Sequence, residues 1–147
     1  MKHRVLLLML ALLLPLNGQA TQAEHIMASN AWIRLLPANL PAGGYVTLQN
    51  QGASVATLVS VHSATYASAM LHQSTENQAG GSTMRMLDQL TIPAHGQVKL
   101  EPAGYHLMLE QATHPLAPGD KIDITLDFAD GSHLPVQFLV RPANASE

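Results

Sequence analysis

The sequence predicts an all-β domain, a sandwich or barrel built from short antiparallel strands. Three observations carry this. From Lys121 to Phe128, apolar Ile122, Ile124, Leu126 and Phe128 alternate with Lys121, Asp123, Thr125 and Asp127, the period of a half-buried strand. Short apolar runs recur along the chain between Gly, Pro and Asn turn signals. No amphipathic segment of ten residues or more reads as a helix, and there is no internal repeat.

In chain order, the first element is an address. Lys2, His3 and Arg4 precede an unbroken apolar run from Val5 to Leu14, and Gly18-Gln19-Ala20 puts small residues at the −3 and −1 positions of a cleavage site. This is the pattern of a secretory signal peptide over residues 1–20, with cleavage after Ala20 and Ala23 as the alternative. The run is short for a permanent span. No Cys follows it, which argues against a lipoprotein anchor. A periplasmic destination is expected, with residues 21–147 forming one domain.

Ala31 to Arg34 reads as a short strand, and Pro37 to Gly44 as a turn-rich loop. Further strands are expected at Tyr45 to Gln49, Thr57 to His62, Ala69 to Gln73, Thr83 to Leu87, Gln97 to Leu100 and Tyr105 to Leu109. Asn50-Gln51-Gly52 and Gln78 to Ser82 supply turns. After Lys121 to Phe128, Asp130-Gly131 marks a hairpin into Leu134 to Val140. The polar tail from Pro142 to Glu147 is expected to fray.

Composition narrows the function. Of the 147 residues, 47% are hydrophobic and only 12% charged, which excludes a disordered chain. The net charge of −3 offers no broad basic surface for nucleic acid. Loss of Lys2 and Arg4 with the leader leaves five basic against ten acidic residues, a net of −5. The chain has no cysteine, which removes disulfides, thiolate zinc, iron–sulfur clusters, thiol catalysis and a Cys-ligated blue-copper site.

The remaining metal donors cluster. After the leader, the segment Met70 to Met108 holds four of five methionines and three of seven histidines. His106-Leu107-Met108, Met84-Arg85-Met86 and Met70-Leu71-His72 each place donors two residues apart, hence on one face of a strand. Thioether and imidazole together suit copper in an oxidising space, Met favouring Cu(I) and His accepting Cu(I) and Cu(II). Such binding weakens as imidazoles protonate below about pH 6.5. On residue type and spacing alone a structural reading also stands. Met fills core gaps, and His at strand ends hydrogen-bonds at surfaces. Met70 and Met86 are expected in the core, and His62, His95, His114 and His133 as structural or solvated. His25 and Met27 are expected in a disordered start, with an auxiliary copper site near the new N-terminus as the alternative.

The sequence resembles the periplasmic copper chaperones called PCuAC. The residues that carry this are His72, the ten-residue interval 74–83, Met84, the interval 85–105 and His106-Leu107-Met108. Ala31-Trp32-Ile33-Arg34, Gly44 to Asn50 and Pro102 to Leu109 are similar to the family as well, so the likeness runs from about Trp32 to Val140. The resemblance implies a cupredoxin-like β-sandwich, close to the immunoglobulin-like architecture, without the blue-copper Cys. It implies copper ligands at His72, Met84, His106 and Met108; an enzyme is not expected, because no Ser/His/Asp arrangement stands out. It also implies delivery of Cu(I) to the CuA domain of cytochrome c oxidase, beside a thiol-containing assembly partner. Gln73 stands where some members carry a second Met, and, with no His/Met-rich stretch between Val140 and Glu147, one principal copper site is expected. Arg85 and Tyr105 adjoin ligands and are expected to shape the site. A copper buffer predicts the same ligands without an oxidase-assembly role. A structural β-sandwich with an incidental cluster predicts no copper affinity.

Overall fold

A computed structural model describes residues 18–146, so nearly all of the expected leader lies outside the described residues. The described residues form one short helix, α1 (Gln22–His25), and ten strands. These are β1 (Ile26–Arg34), β2 (Ala42–Asn50), β3 (Ala56–His62), β4 (Tyr66–Glu76), β5 (Ser82–Met86), β6 (Leu90–Ile92), β7 (Gln97–Leu100), β8 (Tyr105–Ala112), β9 (Lys121–Phe128) and β10 (His133–Arg141). Among the described residues no helix is long and apolar enough to cross a membrane.

Strand neighbours run β5-β4-β8-β2-β1-β10-β9-β3-β6, with β7 paired to the second half of β2. All pairings are antiparallel except β1 with β10, a parallel pairing that local sequence does not announce. The path folds over itself so that alternate side chains meet in one core. Ile33, Leu48, Leu58, Ile92, Leu107, Ile124, Leu126 and Phe138 are fully buried there. β9 buries Ile122, Ile124, Leu126 and Phe128 as its alternation requires. It closes through a turn at Asp130-Gly131 onto β10, where Val136, Phe138 and Val140 point inward.

Three expectations are corrected. β2 begins at Ala42, inside the segment expected to be loop. Gly44 permits this, because a Cβ there would stand 3.0 Å from Leu107 Cβ on β8. Three-residue β6 was not anticipated, since Leu90 and Ile92 are too few to show a period.

The expected disordered start is ordered. Thr21 caps α1 in a capping box with Glu24, with Thr21 N–H donating to Glu24 Oε2 at 2.6 Å. Gln22 N–H donates to Asp130 Oδ2 at 2.7 Å, Ala23 N–H to Ser132 Oγ at 3.0 Å, and Thr57 N–H to Gln22 Oε1 at 3.0 Å. At the other end, the tail is tied back where Arg34 Nε donates to the Ala145 carbonyl at 3.1 Å.

Candidate metal centre

Three neighbouring strands bring the donors together. In the register of β4 with β8, His72 faces His106 and Met70 faces Met108. In the register of β4 with β5, His72 faces Met86 and Ser74 faces Met84. Directly opposed residues share a face of the sheet, and residues two apart along a strand share it too. Met84, Met86, Met70, His72, His106 and Met108 therefore lie on one face. Leu71 and Leu107, opposed on the other face, fill the core beneath.

The two imidazoles form the centre of this patch. Their ring centroids are 5.7 Å apart, with planes inclined by 57°. His106 is 5% exposed. Its Nδ1 lies 3.0 Å from the Gly104 carbonyl, which can only accept, so Nδ1 carries the proton and Nε2 keeps its lone pair. That Nε2 is buried and has no hydrogen-bond partner, and neither has His72 Nδ1. Buried polar atoms are nearly always paired. Two unpaired ring nitrogens among thioethers form a neutral, soft donor set that fits a copper ion. Burial lowers the pKa of His72, and His106 nearby lowers it further, against a smaller opposing pull from Glu110. The ring therefore stays neutral, the form that binds a metal, further into acid than an exposed histidine does.

The thioethers are less enclosed. Met84 and Met86 sit on edge strand β5, 52% and 62% exposed, and Met108 is half-buried. Met86 is thus not a core residue as expected: it is exposed directly across from His72. Met70, also expected in the core, is half-buried on the donor face. β5 is strapped to β4 from its other side. Arg85 donates to Gln73 Oε1 at 2.9 Å, and the Thr75 and Thr83 hydroxyls meet at 2.9 Å. Arg85, Gln73 and Tyr105 are consequently on the opposite face from the donors, because each stands one residue away from a donor on its strand. The hairpin between β4 and β5 turns on Asn77, whose Oδ1 accepts from Ala79 N–H and Gly81 N–H.

The other histidines do not join this patch. His62 and His133 both bond Asp127, at 2.9 and 2.6 Å. His95 and His114 are exposed on loops. His25 ends α1 against Gly52, and Met27 is exposed on β1. Among the described residues no three of His, Cys, Asp and Glu gather to hold a metal, so a centre here depends on methionine. Residue spacing alone gives Gly104 no part in the site. Its signal is the Pro102-Ala103-Gly104 turn just before His106, with Ala103 at φ 66°.

The profile of the LpqE-like family matches residues 26–140. The chain belongs to the LpqE-like family. A protein of Leifsonia xyli subsp. xyli named "Putative lipoprotein" is 31% identical over 130 residues, 87% of this chain and 78% of that one. Among solved structures, the Cu(I) form of DR1885 from Deinococcus radiodurans is 31% identical with a TM-score of 0.64, over 88% of this chain and 84% of that one. The apo PCuAC domain of PmoF2 reaches a TM-score of 0.68 at 21% identity, over 84% and 94%. The copper-bound PCuAC domain of PmoF2 reaches 0.67 at 22%, over 80% and 93%. This LpqE-like chain therefore has the cupredoxin-like sandwich of PCuAC domains, as the sequence resemblance implied.

Proposed function

We propose that this protein is an exported copper chaperone that holds Cu(I) through His72, Met84, His106 and Met108 and passes it to an acceptor. One observation carries the reading: His72 Nδ1 and His106 Nε2 are buried without partners on the face that also bears the methionines. Two of the similar structures, a Cu(I) form of DR1885 and a copper-bound PmoF2 domain, support copper as the cargo. Neutral ligands leave the charge of Cu(I) uncompensated, which suits a protein that must release it.

In this reading residues 1–20 are a leader and residues 21–147 the periplasmic domain. The lipoprotein name of the Leifsonia relative supports export. The acceptor is the CuA domain of cytochrome c oxidase, reached beside a thiol-containing partner, and Cu(II) is held less selectively through the two histidines. The protein binds and releases a metal and transforms no substrate.

The test is a competitive Cu(I) titration of residues 21–147 against a chromogenic chelator under reducing conditions, beside the Met84→Ala/Met108→Ala variant. Tight one-to-one binding that the variant loses is expected, with Cu(II) binding less affected. Binding no tighter than that of an unrelated His-containing protein refutes the proposal.

A further inference from the structure

Arg34 and Arg141 are register partners on the parallel strands β1 and β10. Both guanidinium carbons lie over the Trp32 ring, at 5.5 and 5.3 Å from its centroid, and Arg34 also lies 5.6 Å from that of Tyr45. Both arginines are half-buried. Among the described residues neither has a carboxylate within ion-pair distance. Two like charges, partly desolvated and side by side, repel each other. The aromatic faces and the Ala145 carbonyl hold them without neutralising them.

Beside them opens a cavity of about 540 Å³ lined by Trp32, Lys99, Leu100, Pro102 and Arg141. Glu101 also lines it and pairs with Lys99 at 3.6 Å, but both side chains are more than half exposed, so this pair is loose.

The cluster adjoins the donor face. Trp32 stacks on Tyr45 at 4.6 Å, and the Tyr45 hydroxyl lies over Gly43, which is the register partner of Met108. Gly43 is also the partner of Arg34. With strands about 4.8 Å apart, the Arg34 backbone is about 10 Å from that of Met108.

We propose that Arg34, Arg141 and Lys99 form a docking surface for an acidic segment of the protein that exchanges metal with this one. The inference rests on the chaperone reading, because it is the nearness of the donor face that makes docking here useful. A protein segment fits better than an anionic membrane. Without the leader the chain carries a net charge of −5, which opposes adhesion to an extended negative surface. A local cavity whose charged wall is Arg141 and Lys99, with Glu101 held by Lys99 and the rest of the lining apolar or neutral (Asn30, Thr47 and Ser146 among it), instead admits a few acidic side chains. Arg forks bind carboxylates in pairs of hydrogen bonds, which gives such a surface direction as well as charge.

Trp32 is the only tryptophan, so its fluorescence reports on this cluster directly. The exported protein, without metal, is titrated with a hexaglutamate peptide. A saturable change is expected, its midpoint rising about tenfold between about 20 and 200 mM salt, with none for hexalysine. Arg141→Gln should raise the midpoint about tenfold and exposed Lys99→Gln about threefold, with Cu(I) affinity unchanged in both.

The proposal is overturned if there is no saturation, or if both variants respond like the wild type. It is also overturned if inorganic phosphate matches the peptide (an adventitious ion only), or if anionic vesicles bind where the peptide does not. Lys99→Gln keeps the test decisive should Arg141→Gln fail to fold. Because the titration uses no metal, failure of Cu(I) binding and failure of docking are read separately.

Discussion

His106 is oriented by a carbonyl two residues away, and the direction of that bond decides which nitrogen faces the donor patch. Its Nδ1–H is committed to Gly104, so Nε2 is left bare, and His72 Nδ1 is bare beside it. Each unpaired buried atom carries a desolvation penalty of about 1–3 kcal/mol. A site kept ready for a metal is therefore a local weakness of the metal-free fold. His72→Leu should abolish tight Cu(I) binding while leaving the melting temperature of the metal-free protein equal or higher. A thermal scan beside a Cu(I) titration checks this, and a drop of many degrees would show the ring to be structural. At this scale the donors were legible, because His-x-Met and Met-x-Met place side chains on one face by strand period alone. The role of Gly104 was not, since a carbonyl's partner depends on how the turn before β8 closes.

At the scale of elements, β5 decides which thioether serves. It is an edge strand with every residue exposed, so its methionines can swing without disturbing the core. Motif spacing favours Met84, whereas the register puts Met86 across from His72. Met84→Ala should weaken Cu(I) binding about tenfold and Met86→Ala about threefold, read in the same competitive titration. The reverse order would mean that register, not spacing, selects the donor.

The N-terminal element makes a second prediction. Cleavage after Ala23 would remove the Thr21 cap, the Gln22 bond to Thr57 and the buried Ala23. Mass spectrometry of the exported protein should find Thr21 as its first residue. Thr21→Ala should lower stability by about 1 kcal/mol in chemical denaturation. Sequence reading missed this helix because four residues are too short to show a helical period.

Over the whole molecule, Asp127 ties three strands together. Burial pushes its pKa up, but bonds from His133, His62 and Ser60 outweigh that and hold it below the ordinary carboxylate value. A carboxylate whose folded pKa is depressed stabilises the fold above its unfolded value near 3.8. That contribution is lost as pH falls through the lower folded value. Asp127→Asn should therefore melt about 3 °C below the wild type at pH 7, with the gap closing by about pH 3. Melting curves across that range check it, and a constant gap would assign the effect to packing. His62 and His133, read as structural or solvated, are the bridges to β3 and β10.

What the sequence determined by itself was local. The strand class, the inward face of Lys121 to Phe128, the Asp130-Gly131 turn and the identities of the clustered donors all follow from periods and turn chemistry within a few residues. The tertiary structure decided everything that depends on pairing between distant segments. It opposed His72 to His106, turned Met86 outward, anchored Gln22 on Asp130, paired β1 with β10 in parallel and set Arg34 and Arg141 over one indole. Alternation encodes which face a residue takes, but it does not say which strand lies beside it. Register between strands thirty or a hundred residues apart is fixed only when the core closes and every inward face is buried at once.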